Sequence, residues 1–314
     1  MNDKTKLKAA KDLGKGLKTI GDWQRYIATK LHQANVWFGH GAANGWEEAN
    51  LLLSEITQLH FEDLPNYLTY RLAKDEQAEL ALLLWRRLNE RVPAAYLVHK
   101  AWFAGLPFYV DERVLVPRSP LSELIQQQFE PWLVQQPERI LDLCTGSGCI
   151  AIACAYHFSE ADVVASDISE DALHVAQMNV AEHELEGRVS LVQSDGFYDI
   201  APQQFDLIVS NPPYVDAEDM ADLPEEYHHE PELGLASGED GLDLVRHILQ
   251  TSPDYLTEQG VLICEVGNSW VNMVEAWPNV PFTWLSFEHG GDGVFLLTKQ
   301  ELIAHQAEFS TQGK

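Results

Sequence analysis

Between residues 139 and 298 short apolar runs alternate with amphipathic helical stretches, and that alternation restricts the possible folds more than any other feature of the chain. Runs with strand character fall at 139–144, 162–167, 188–192, 205–210, 259–265, 282–287 and 293–298. Ser169 is a good N-cap for a helix through Ala172, Val175 and Met178, and 242–249 forms another amphipathic helix. Strands interleaved with helices predict an α/β fold with a doubly wound, mostly parallel sheet of seven strands. Only residues 288–292 separate the last two runs, too few for a parallel crossover. Those two are therefore expected as a terminal antiparallel hairpin at the sheet edge.

The first part of the chain has a different period. Trp23, Tyr26, Ile27 and Leu31 share one helical face, and Leu80, Leu83, Leu84 and Leu88 share another, which predicts a small helical domain over 19–92. Six lysines (4, 6, 8, 11, 15 and 18) among small and polar residues predict a flexible basic tail over 1–18. Residues 93–120 carry the short runs Tyr96-Leu97-Val98, Trp102-Phe103, Phe108-Tyr109-Val110 and Val114-Leu115-Val116 around Gly105, a β-hairpin linker. It ends in Pro117-Arg118-Ser119-Pro120, after which 121–129 reads as a helix and 121–314 as the α/β domain.

Composition narrows the function classes. The net charge of −27 repels a phosphate backbone and attracts basic partners, so no direct sequence-specific nucleic-acid binding is expected. No apolar run approaches the roughly 20 residues of a membrane span, and the amino terminus lacks the apolar segment of a secretory signal. Cys144, Cys149, Cys154 and Cys264 match neither paired zinc spacing nor a disulfide framework; a reduced, cytoplasmic protein is expected. The adjacent His228 and His229 lack a second ligand cluster, so no metal is expected either.

Two strand ends carry the candidate chemistry. The run 140–143 passes into Cys144-Thr145-Gly146-Ser147-Gly148, a glycine-bearing loop that opens a helix and lets a ligand approach the backbone. Asp142 lies just before the turn. Asp167 ends the second strand, where an acidic side chain can accept from both ribose hydroxyls, and Asp195-Gly196 follows the third. The loop lacks the full dinucleotide pattern of three glycines, and an antiparallel terminal hairpin fits a dinucleotide sheet poorly. Asp142, Gly146, Gly148, Asp167 and Asp195 suit S-adenosyl-L-methionine, whose charges are a sulfonium, an ammonium and a carboxylate. Asp142 can receive the ammonium and Asp195 can face the adenine amino group. Cys144, Thr145, Ser147, Gly196 and Asn211 complete the expected cofactor contacts. The second strand end is Asn211-Pro212-Pro213-Tyr214 after 205–210. Its prolines stiffen the turn, and the Asn211 amide both donates and accepts, as recognition of a planar amide or amino group requires. A plain strand-ending turn is the other reading of the same residues.

The pairing of 142–148 with Asn211-Pro212-Pro213-Tyr214 resembles class I S-adenosylmethionine-dependent methyltransferases that act on nitrogen. More narrowly, it resembles the protein-glutamine methyltransferase family, which modifies release factors or a large-subunit ribosomal protein. The likeness extends to Tyr96-Leu97, 108–118, Glu230-Pro231, 238–242 and Glu265-Val266-Gly267, most of 93–300. Release-factor enzymes typically continue Pro-Arg with Pro-Asp-Thr-Glu and have glycine where this chain has Cys144. Ser119-Pro120 and Cys144 look instead like the branch that acts on the third protein of the large subunit, a basic ribosomal protein. The resemblance implies N5-methylation of a glutamine, with S-adenosyl-L-homocysteine as product. It implies that Asn211, Pro212 and Tyr214 are catalytic, with Tyr214 packed on the amide. Pro213 and Arg118 would then help to bind substrate. A release-factor glutamine methyltransferase is the alternative, and a nucleic-acid adenine amino methyltransferase a more distant one.

Overall fold

The computed structural model describes residues 3–310. They divide into two units. The first comprises Met1–Ala101, Val110–Glu112 and Pro224–His229; the second comprises Trp102–Tyr109, Arg113–Leu223 and Glu230–Lys314.

The first unit is helical. Its main helices are Ile20–Gln33, Gly45–Thr57 and Lys74–Asn89. Thr19 starts the first with a capping box, its hydroxyl accepting from the Asp22 N–H while the Asp22 carboxylate accepts from the Thr19 N–H. Asn44 caps the second through the N–H groups of Trp46 and Glu47. Trp23, Ile27, Leu31, Leu52, Leu53, Leu80 and Leu84 form the buried faces. One ion cluster sits inside. Arg87 donates to both oxygens of Glu48 at 2.9 Å, to Glu226 Oε1 at 2.9 Å and to the Trp37 carbonyl at 2.7 Å. Glu226 belongs to the segment that returns to this unit from far along the chain.

Two expectations for this region need correction. Asp3–Ala10, expected within a flexible tail, forms a helix; Ala10 is buried, and Lys6 pairs with Glu90 at 2.6 Å. Residues 1 and 2 of that expected tail lie outside the described residues. Tyr96-Leu97-Val98, expected as a strand, belongs to the helix Ala94–Val98, whose five residues are all buried. A short helix that is apolar on every side has the same local composition as a buried strand, so periodicity cannot separate the two.

In the second unit, apart from its first residue, lies the hairpin of β1 (Ala101–Phe103) and β2 (Leu106–Phe108). Ala104 (φ 49°) and Gly105 (φ 81°) form its turn, both in the left-handed region that a two-residue loop of this twist requires. Val114–Val116, expected to extend the hairpin, forms no strand. The main sheet contains β3 (Arg139–Leu143), β4 (Asp162–Asp167), β5 (Val189–Gln193), β6 (Phe205–Ser210), β7 (Leu256–Glu265), β8 (Thr283–Trp284) and β9 (Val294–Thr298). Its order is β5-β4-β3-β6-β7-β9-β8, with β9 antiparallel to both β7 and β8. The seven strands and the terminal hairpin are as expected, although β8 is only two residues long.

Both faces of this sheet are covered, which explains why its central strands read as continuous apolar runs. Ile140, Leu207, Val209 and Ile263 face one core, while Leu141, Ile208, Leu262 and Phe295 face the other. The strand order reverses between β3 and β6, whose registers place Leu143 beside Ser210. Carboxyl ends that part at such a point leave a crevice, and ligands bind there in open α/β sheets.

Candidate active site

The glycine loop and the Asn-Pro-Pro-Tyr turn begin at that reversal. Cys144 follows β3 and Asn211 follows β6, and the Ser210 hydroxyl donates to the Leu143 carbonyl at 2.8 Å, tying the two strand ends together.

Asp142 is fully buried in β3. Its Oδ2 accepts from the Thr145 hydroxyl at 2.5 Å and from the Ala151 N–H at 3.0 Å, bracing the loop against the helix Cys149–His157. Its Oδ1 is buried without a hydrogen-bond partner. Burial, with the nearby charge of Asp167 in addition, raises its pKa to about 7. An unpartnered carboxylate oxygen inside a protein is costly, and a cationic ligand group relieves that cost.

The loop adopts left-handed backbone three times, at Cys144 (φ 61°), Gly146 (φ 55°) and Gly148 (φ 80°). For Cys144 this costs roughly 1–2 kcal/mol, which glycine would avoid. Burial beside Asp167 and Asp142 pushes the Cys144 thiol pKa upward, so it is held as a neutral thiol. A side chain added at Gly146 would meet nothing within 4 Å, whereas one at Gly148 would press on Ala176 at 3.3 Å. Gly146 thus leaves space over the loop, and Gly148 allows the loop to pack on the helix Glu170–Glu182. The Ser147 carbonyl accepts from the buried Asn179 amide at 2.8 Å, and that amide also pairs with the Tyr109 backbone in both directions. Asn179 was missed by sequence reasoning. The available signal was one asparagine among Val175, Ala176 and Val180 on an otherwise apolar helix face.

Asp167 ends β4. It accepts from the Gly146 N–H and the Ser169 N–H, both at 2.9 Å, and burial raises its pKa. Each oxygen keeps acceptor capacity beyond these bonds. Asp195 is exposed beyond β5, and Gly196 (φ 55°) follows it. A side chain at Gly196 would strike the His247 ring at 2.7 Å. The loop residues therefore stand with Asp142 and Asp167, while Asp195 and Gly196 lie at the next strand end.

Asn211, Pro213 and Tyr214 are half-buried, and Pro212 is buried. Tyr214 is fixed at both ends. Its carbonyl accepts from the Ser269 hydroxyl at 2.6 Å, and its own hydroxyl donates to Glu265 Oε1 at 3.0 Å. Its ring lies so close to Gly267 that a Cβ there would sit 2.4 Å from Cε2. Glu265 also accepts from the Ser119 hydroxyl at 2.5 Å, and burial raises its pKa. Arg118 makes a two-pronged pair with Glu230 at 2.6 and 2.8 Å, and Glu230 also accepts from the Val116 N–H at 3.0 Å. The Arg118 guanidinium expected to line the substrate site is thus engaged by a buried carboxylate. Among the described residues no group of three His, Cys, Asp or Glu is placed to hold a metal ion.

A seven-stranded sheet of this order, a glycine loop after β3 and acidic side chains at successive strand ends define a class I S-adenosylmethionine-dependent methyltransferase. The orphaned Asp142 Oδ1 and the open space above Gly146 fit that cofactor. A methyltransferase small domain matches residues 122–226. The chain is 47% identical to the ribosomal protein uL3 glutamine methyltransferase of Francisella tularensis over 301 residues, 95% of this chain and 96% of that one. It is 48% identical to the enzyme of the same name from Xanthomonas campestris over 295 residues, 94% and 96% of the two. Among solved structures, the hMettl16 catalytic domain in complex with MAT2A 3′UTR hairpin 1 shares the fold, with a TM-score of 0.51 at 16% identity over 80% of this chain and 91% of that one. The chain belongs to the uL3 glutamine methyltransferase family.

Proposed function

We propose that this enzyme transfers a methyl group from S-adenosyl-L-methionine to the side-chain nitrogen of a glutamine in ribosomal protein uL3, contributing to assembly of the large subunit. The observation that carries the reading is a rigid Asn211-Pro212-Pro213-Tyr214 turn beginning beside the Asp142–Gly148 loop at the sheet's reversal point. The relatives' names support the substrate. The charge of −27 favours a basic partner, and no described helix is long and apolar enough to cross a membrane. A cytoplasmic enzyme with free thiols fits such a partner.

When bound, S-adenosyl-L-methionine supplies an electrophilic methyl group on a sulfonium. In the proposed assignment Asp142 takes its ammonium group, Asp167 its ribose and Asp195 its adenine, with Cys144, Thr145, Gly146, Ser147, Gly148 and Gly196 as the walls. The remaining problem is the amide, whose nitrogen lone pair is delocalised into its carbonyl. The Asn211 side-chain oxygen and the Pro212 carbonyl each accept one amide hydrogen. Together they turn the lone pair towards the methyl carbon and stabilise the positive charge that builds on nitrogen. Pro213 keeps the turn stiff, and the Tyr214 ring excludes other poses of the amide. Arg118, held by Glu230, supports the substrate side through the 116–118 backbone.

The test is methyl transfer from labelled cofactor to purified uL3, to release factor and to RNA, with the modified residue located by mass spectrometry. Label on a uL3 glutamine, carrying one added methylene unit of mass, is the expected result. Label on release factor or RNA with none on uL3 overturns the reading.

A further inference from the structure

The buried carboxylate of Glu265 joins two segments that the mechanism above uses only separately. It ends β7, paired with Val294 of β9 and one residue beyond Cys264, which lies beside Ser210 of β6. It is 5% exposed. Its Oε1 takes the Tyr214 hydroxyl at 3.0 Å and its Oε2 takes the Ser119 hydroxyl at 2.5 Å. The Ser119 oxygen accepts from the Leu121 N–H at 3.1 Å, so its own proton is directed to Glu265. Pro120, the next residue, would meet a Cβ at Gly291 at 2.8 Å, so the Ser119-Pro120 turn has no slack on that side either. A carboxylate in such a place is not what stability alone favours, since an apolar residue of similar size often packs a buried site as well or better. What Glu265 adds is a fixed length and direction for two hydrogen bonds to a charged acceptor.

We propose that Glu265 is a positioning residue for methyl transfer. By holding the Tyr214 hydroxyl and the Ser119 hydroxyl on one carboxylate, it locks the Asn211-Pro212-Pro213-Tyr214 turn to the Arg118-Ser119-Pro120 turn. The Asn211 and Pro212 acceptors are thereby kept at one spacing. The inference rests on the proposed role of that turn in holding the substrate amide. Tyr214 is immobilised at three points: ring on Gly267, carbonyl on Ser269, hydroxyl on Glu265. Of these three, the bond to Glu265 is the one made to a side-chain charge. Loss of this bond loosens the angle of the turn without emptying the cofactor pocket, because the Asp142 and Asp167 contacts are made on other strands.

The test compares wild type with Glu265→Gln, Tyr214→Phe, Ser119→Ala and the Glu265→Gln/Tyr214→Phe double variant. It measures kcat and KM for uL3, cofactor binding by calorimetry, and thermal unfolding. The expectation for Glu265→Gln is a fall in kcat of about tenfold or more, the scale of one hydrogen bond to a charged group, with KM, cofactor affinity and Tm near wild type. Glu265→Gln leaves the Tyr214 hydroxyl a neutral acceptor and Tyr214→Phe removes the bond outright, so Tyr214→Phe should lose at least as much. The double variant should lose little more than Tyr214→Phe, because without the hydroxyl the charge at position 265 no longer acts on the ring. Ser119→Ala, which keeps the Tyr214 bond, should lose less. An unchanged kcat in Glu265→Gln overturns the proposal, as do additive losses in the double variant or a loss that tracks cofactor affinity and Tm. If Glu265→Gln does not fold, Tyr214→Phe cuts the same bond from its other end and decides the question by its kcat against its KM. Wild type that methylates uL3 normally while these variants match it removes only this inference. Wild type that leaves uL3 unmodified overturns the proposed function and this inference with it.

Discussion

Asp142 should make cofactor binding depend on pH, and its surroundings set the size of the effect. Its pKa is raised to about 7 by burial, with Asp167 adding to the shift, and Oδ1 has no partner. At pH 6 only about a tenth of the ligand-free protein carries the Asp142 charge. A ligand ammonium at Oδ1 needs that charge, so binding at pH 6 must first remove a proton at a cost of about 1.4 kcal/mol, rising to about 2.7 kcal/mol at pH 5. Affinity should therefore fall roughly tenfold per pH unit below 7 and level off above it, until the ligand's own amine deprotonates near about pH 8. In Asp142→Asn the slope should vanish, and affinity at pH 7.5 should drop about 10- to 100-fold with loss of one charge-assisted hydrogen bond. Asp167 also has a raised pKa, but both its oxygens already receive backbone N–H groups, so the asparagine variant isolates Asp142. Calorimetry with S-adenosyl-L-homocysteine, which keeps the ammonium group, in two buffers of different ionisation enthalpy measures the protons released. Wild type should release close to one proton at pH 6 and almost none near about pH 7.5, where the remaining release from Asp142 and the uptake by the ligand amine cancel. No release at pH 6, or the same slope in Asp142→Asn, refutes the assignment.

Asp142 should contribute less to the stability of the ligand-free protein as pH rises from about 4 to about 7, because the folded state holds its proton more tightly than the unfolded chain; the shift sets an upper limit of about 4 kcal/mol, read as the difference between wild type and Asp142→Asn in denaturant titrations across that range. Asn211→Ala should cost roughly 100-fold or more in kcat, and near-normal turnover with unchanged cofactor binding would remove Asn211 from the mechanism. Gly267→Ala should abolish transfer while the fold persists in circular dichroism, since its Cβ needs the space of the Tyr214 ring and the backbone there has φ 45°. In the helical unit, Arg87→Ala leaves Glu48 buried without the guanidinium it pairs with, while Glu226 keeps Arg91 at 3.6 Å, and should destabilise that unit by about 3–5 kcal/mol, seen in thermal unfolding.

The strand-and-helix alternation, the glycine loop and the proline-stiffened turn were legible in the chain because each is set by residues a few positions apart. Apolar runs need covered faces, Gly146 and Gly148 permit a turn few residues can make, and Pro212-Pro213 ends a strand wherever it occurs. Local pattern failed where one composition suits two structures, as in the buried helix Ala94–Val98, and where packing overrides a polar segment, as in Asp3–Ala10. It was also silent on anything set by distant partners. Nothing near Cys144 in the chain says that its backbone is left-handed, or that Asp142 keeps one oxygen bare. Glu265 meets Tyr214 across 51 positions and Ser119 across 146, and those bonds exist only because β7 lies beside β6 in the finished sheet. The sequence alone determined which groups the enzyme can bring to a methyl transfer; the tertiary structure decided which carboxylates are buried and what each one holds, since burial and long-range pairing are properties of the packed sheet.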